Sequence, residues 1–150
     1  MTEETKYDNF AKQMEEKYPK MLVGKYGGFA IGEGWWQIVD SLMANIQHYI
    51  DSSITSHEWD IKNDKENIRP VVPQVTVAQI KEKFGGLRFY YDGGDEYIHG
   101  LVSMAESWAG IACEECGGIG ERRSGGWIRT LCDKHEAEYQ ERLKLRNQND

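Results

Sequence analysis

The chain has 150 residues, with 18 Lys and Arg against 25 Asp and Glu, a net charge of −7. That length suits one domain, and 39% hydrophobic residues supply a core, which excludes disorder as the global state. The acidic balance argues against bulk DNA as a partner, because such binding needs Lys and Arg to neutralise phosphates; a local basic patch is still compatible. Three cysteines cannot form a fully paired disulfide framework, which points to a reducing, cytoplasmic setting.

The first 20 residues are polar and acidic, so no secretory signal is expected. No run reaches the ~20 apolar residues of a membrane helix. Phe10, Met14 and Tyr18 form one stripe, predicting a short surface helix. Gly24 to Gly34 holds five glycines in eleven residues. It lacks both the phosphate-loop and the dinucleotide signatures and is expected to be a turn or flexible entry.

Trp35, Ile38, Val39, Leu42, Met43, Ile46, Tyr49 and Ile50 recur at three- and four-residue spacing. They predict a core helix from Gly34 to about Ser52. Residues 57–69 are charged and unpatterned and are expected to form a loop. Val71 to Lys83 and Leu87 to Tyr91 predict two strands joined at Gly85-Gly86, a hairpin with Leu87, Phe89 and Tyr91 on its buried face. Asp95 is a good N-cap for a further amphipathic helix. Ile98, Leu101, Val102, Ala105 and Trp108 run along it to about Ala112.

The last segment carries the most specific pattern: Cys113-Glu-Glu-Cys116, fifteen residues, then Cys132-Asp-Lys-His135. Two intervening residues let both members of a pair reach one tetrahedral ion, and two pairs make a closed site. Gly117-Gly118 suits a knuckle turn and Gly125-Gly126 a hairpin turn; a helical run opens at the second pair. The expectation is an α+β core over residues 1–112, with a treble-clef-like module over 113–150 packed on it. Cys113, Cys116, Cys132 and His135 would hold a structural Zn2+. A redox dithiol is the competing reading of Cys-x-x-Cys alone.

Elsewhere the signals are weaker. His48, His57 and His99 have no partner at metal or triad spacing. Asp92, Asp95 and Glu96 lack the ligand series of a calcium loop. Lys81, Lys83 and Arg88 mark the hairpin; Arg122, Arg123 and Arg129 mark the last module. With Trp36, Tyr90 and Trp127 nearby in sequence, Trp36, Lys81, Lys83, Arg88, Tyr90, Arg123 and Arg129 are candidate ligand-binding residues. They suit a phosphate and a stacked base. The competing reading is a solvated strand face with lysines guarding an edge.

The stretch Val77-Ala-Gln-Ile-Lys-Glu-Lys-Phe-Gly-Gly-Leu-Arg-Phe-Tyr90 resembles a family of small proteins encoded by phages, prophages and bacteria. So do Gly32-Glu-Gly-Trp-Trp36, Cys113-Glu-Glu-Cys-Gly117, Gly125-Gly-Trp127 and Leu131-Cys-Asp-Lys-His135. The resemblance covers roughly residues 30–136. Members often end the second pair in Cys, where this chain has His135. The resemblance implies a context, not a reaction: interference with host defence or host machinery, in the host cytoplasm. The leading expectation is a non-enzymatic binding protein that sequesters a nucleotide-like signal or a host protein, with oligomers compatible. A nucleic-acid-binding regulator acting through Arg122, Arg123 and Arg129 is the alternative. A small nucleotide-directed enzyme using a pocket near Trp36, His99 or Arg88 is the third.

Overall fold

A computed structural model describes residues 2–149. Helix α1 spans Glu3–Lys17, capped by Thr2, whose side chain accepts from the Thr5 N–H. Its stripe turns inward as expected: Met14 and Tyr18 are buried and Phe10 packs against the core. Lys17 and the Tyr18 hydroxyl both reach the Asp40 carboxylate, at 2.7 and 2.5 Å. Those contacts fix the end of α1 on the next helix.

Helix α2 runs Trp36–Lys62, about ten residues beyond the expected end, so half of the expected charged loop is helical. Its apolar pattern fades after Ile50, yet no Gly or Pro interrupts the chain before Pro70. Propagating a formed helix is easier than ending it. Asp60 then secures the return of the chain. It is buried, and it accepts from the Arg69 backbone N–H, Nε and Nη2 at 2.8–2.9 Å. Next to it, the Ser53 hydroxyl accepts from the Val72 N–H.

Strands β2 (Thr76–Lys83) and β3 (Gly86–Asp92) form the expected antiparallel hairpin. The turn sits one residue earlier than expected, at Phe84-Gly85, both with positive φ (53° and 77°). This primed geometry matches the strand twist. The Gly-rich segment also holds a short strand, β1 (Phe29–Ala30), which pairs parallel to β2 at Ile80 and Lys81. The sheet order is therefore β1-β2-β3.

Helix α3, Glu96–Ala109, starts at Asp95 as predicted; the Asp95 carboxylate accepts from the Ile98 N–H. It packs on α2 and β3, and its Glu106 side chain accepts from the Phe89 N–H. Trp108 is an exception to the expected buried stripe: it is 54% exposed. The core forms where α1, α2, α3 and the sheet meet, around Trp35, Met43, Ile46, Ile80, Leu87 and Ile98. The α+β class and the order of its major elements are as expected.

Strands β4 (Glu121–Arg123) and β5 (Arg129–Leu131) form a second hairpin, and α4 (Asp133–Gln148) closes the chain. None of α4 is buried. Among the described residues, no helix is long and apolar enough to cross a membrane.

Candidate metal centre and the adjoining cleft

Cys113 and Cys116 flank a knuckle in which Gly117 has φ 77°; Cys132 precedes α4 and His135 lies in its first turn. The four ligand atoms lie within 4.8 Å of one another. Sγ of Cys116 and Cys132 are 3.9 Å apart, and His135 Nδ1 is 3.5 Å from Cys113 Sγ and 3.2 Å from Cys132 Sγ. Bonds of about 2.3 Å to sulfur and about 2.0 Å to nitrogen give tetrahedral edges of roughly 3.5–3.8 Å. The donor set therefore fits one tetrahedral ion, with every position taken by protein.

The surroundings act in opposite senses on the two thiols of the knuckle. Burial pushes the Cys113 thiol up, but backbone N–H groups of Cys132, Cys116 and Glu115 aim at it and bring it down to about 7. At Cys116 the Gly118 N–H pulls downward, yet burial and the neighbouring sulfurs prevail and raise the thiol. His135 offers Nδ1 to the thiols, and its Nε2 faces Glu115 at 3.6 Å and Glu138 at 3.9 Å. A carboxylate behind a ligating imidazole fixes its tautomer and orientation.

The knuckle is joined to the core at the Gly-rich segment. Gly34 N–H donates to the Glu114 carbonyl at 2.8 Å, and Trp35 Nε1 donates to the Ala112 carbonyl at 2.8 Å. A Cβ on Gly34 would run into the Cys113 carbonyl and lie 2.6 Å from the Gly117 nitrogen. Gly32 and Gly34 thus permit close backbone approach, which corrects their reading as a flexible entry. A second junction ties the two hairpins, where the Thr130 hydroxyl donates to the Gly85 carbonyl at 2.6 Å.

The segments that carry the ligands also wall a polar cleft. It consists of two adjoining depressions of about 470 and 580 Å³ that share Tyr7, Gly32, Glu114 and Arg129. Glu114 is 5% exposed, and its Oε2 accepts from the Thr130 N–H at 2.5 Å. Burial pushes its carboxyl up, against the pull of that N–H and of Arg129. Glu115 is shared by Arg129 and Arg142, each 3.3 Å away, and both guanidinium groups lie over the Tyr139 ring. Burial, reinforced by Glu3 and Glu33, pushes the Tyr7 hydroxyl up and keeps it protonated as a donor.

The candidate ligand-binding residues do not gather at one place. Arg129 lies in the cleft. Trp36 sits behind it, stacked on Phe10 at 4.4 Å and met edge-on by Tyr7. Lys83 lines a depression with Phe84 and Ile128 that adjoins the cleft through Glu82 and Trp127. Lys81, Arg88 and Tyr90 lie on the sheet; Lys81 is paired with Arg88 in register and sits over the Tyr90 ring. Arg123 is bound to the Leu131 carbonyl and Asp133. His99 meets the Tyr91 hydroxyl at 2.6 Å, and His57 meets the Arg69 carbonyl at 2.7 Å. Glu114, Glu115, Tyr7, Tyr139 and Arg142 escape sequence reasoning. The one available signal was the position of the two glutamates between ligands.

No family model, curated protein or solved structure matches the chain.

Proposed function

We propose that the chain is a zinc-stabilised, non-enzymatic binding protein whose treble-clef-like module shapes a cleft for a small anionic, nucleotide-like ligand. The observation that carries this is a shared chain path. Glu114 and Glu115 lie between two ligands, His135 is itself a ligand, and all three line the cleft with Arg129. Zinc suits the donor set because thiolate and imidazole in a closed tetrahedron are its structural preference. The thiolates would stay reduced in a cytoplasmic setting. Arg129 and Arg142 both reach Glu115, and Tyr7, Trp127 and Tyr139 supply aromatic faces. The resemblance to phage-encoded proteins supports a role in withholding such a ligand from host machinery.

The nucleic-acid reading draws less support, because Arg123 is held by the Leu131 carbonyl and Asp133. Calorimetric titration of the metal-loaded protein with nucleoside triphosphates tests the small-ligand reading. Binding that disappears on chelation is the expected result; absence of heat with every nucleotide refutes it.

A second reading, capture of a host protein, is favoured by an apolar groove of about 570 Å³ between α2 and α3. Ile38 and Leu42 face Leu101, Ala105 and Trp108, with Met104 63% exposed at its margin. This repeat on two helices suits an amphipathic helix of the partner laid between them. A defined partner retained by Trp127→Glu and lost with Trp108→Glu would support it. A dimer mass in light scattering would instead assign the groove to a second copy.

A further inference from the structure

The β2–β3 hairpin holds a group of cations without counter-charges. Strand alternation buries Ile80, Leu87 and Phe89 in the core and turns Lys81, Lys83, Arg88 and Tyr90 to the opposite face. Among the described residues, none of Lys81, Lys83 and Arg88 takes part in an ion pair, in a chain of net charge −7. Glu82, between the two lysines, alternates away and lines the cleft, its Oε1 accepting from the Gly85 N–H. Lys81 stands directly opposite Arg88 in the antiparallel register, and like charges so placed weaken a hairpin. Their own contacts compensate little: Lys81 Nζ lies 5.7 Å from the Tyr90 ring centroid, and Arg88 Nη1 donates to the Leu87 carbonyl at 3.3 Å. An anion on this face would relieve the repulsion.

Aromatic rings bracket these cations. Tyr90 is 43% exposed at one end and Phe84 61% exposed at the other, with Lys83 Nζ 5.8 Å from the Phe84 ring centroid. Phe84 has φ 53°, a left-handed backbone that is unfavourable for a bulky residue, at a turn whose usual occupants are Asn and Gly. A ring so exposed recovers little by packing, so its placement serves the surface and not the core. We infer that this face binds a short single strand of nucleic acid, with bases stacked on Tyr90 and Phe84 and phosphates on Lys81, Arg88 and Lys83. Lys81 and Lys83 are about 7 Å apart along the strand, a step that suits successive phosphates of an extended chain. The row from Tyr90 to Gly86 covers about 13 Å, room for roughly three or four nucleotides. A duplex keeps its bases stacked inside, away from both rings, and its charge density is repelled by the acidic remainder of the chain. None of these five residues lines the cleft, so this face does not depend on the small-ligand reading.

Fluorescence anisotropy of the metal-loaded full chain with labelled RNA and DNA single strands of about ten nucleotides tests this. Binding of either strand is expected, weaker for the matching duplex, with log K falling against log salt at a slope of about −2, the release expected for three phosphate contacts. Lys81→Thr with Arg88→Thr should bring the slope to about −0.7 and cost tenfold or more in affinity. Threonine suits a strand and the change removes the like-charge pair, so the Tm of the free variant should not fall. Lys83→Ala, at an exposed strand end, should reduce the slope by about 0.7 and gives a second variant. Tyr90→Ala should weaken binding about tenfold at unchanged slope, the scale of one base stacked on a ring. Lys12→Ala with Lys20→Ala removes the same charge from two exposed positions elsewhere and should leave binding unchanged. No single-strand binding at low salt, equal weakening by the Lys12 and Lys20 variant, or equally tight binding of inorganic polyphosphate of the same length would overturn the assignment.

Discussion

The core and the C-terminal module are ordered by different means. The core buries Met43, Ile46, Ile80, Leu87 and Ile98 almost completely, on elements of 7 to 27 residues. The module has two three-residue strands and a helix with no buried residue. Hydrophobic burial is proportional to area, and a region this small buries little of it. Its order must come from cross-links: four clustered ligands, and hydrogen bonds to Gly34, Trp35 and Gly85. The difference sets a region packed by its own apolar side chains beside a polar one whose order would depend on the clustered ligands. The polar region can then spend its side chains on a cleft.

Removing the metal should separate the two regions most sharply. Cys132→Ser, or chelation, should abolish the folded module while the core persists; zinc-dependent modules derive about 10–16 kcal/mol from the ion. Elemental analysis should find about one zinc per chain in the unaltered protein. Hydrogen exchange should show protection lost over 113–148 and kept in α2. Simultaneous loss of both regions would make them one cooperative unit.

The converse change is Ile46→Ala, which should lower global stability by about 2–5 kcal/mol at unchanged metal stoichiometry. Chemical denaturation followed by the core tryptophan Trp35 measures it. Gly34→Ala tests the junction. Its Cβ meets knuckle backbone that cannot move away, so a cost of about 1–3 kcal/mol is expected, together with weaker zinc retention against a chelator. Unaltered retention would show that the junction and the metal site are independent.

The smallest effect should come from Asp60→Asn. The Arg69 side chain and backbone hold the Asp60 carboxyl down at about 2, below the ordinary value near 4. Its stabilising contribution is therefore complete above about pH 4 and is lost as pH falls through about 2. The difference in Tm between unaltered protein and variant should be constant near neutrality and shrink across that acid window. A difference that persists at pH 2 would assign the effect to packing instead of charge.

The elements legible beforehand are those whose signal is local. Repeats at three and four residues revealed α1, most of α2 and α3; alternation revealed the β2–β3 hairpin; Asp95 marked a cap. The four ligands were legible because two-residue spacing is itself a geometric requirement. The end of α2 was not, since its last turns have no core-facing pattern and depend on Asp60 meeting Arg69. Trp108 fell on a helical stripe whose outer end faces an open groove, because amphipathic spacing cannot say how far a neighbouring element extends.

Composition, periodicity and ligand spacing by themselves determined an α+β chain with one clustered Cys3His site, because each depends on residues close in sequence. Only the tertiary structure decided what Gly32 and Gly34 are for: they make room for a knuckle some eighty residues away. It also decided that Arg129 joins Glu114 and Tyr7 while Lys81 and Arg88 lie on the sheet. Contacts between distant segments depend on which surfaces the core and the ligands bring together, and no local pattern encodes that.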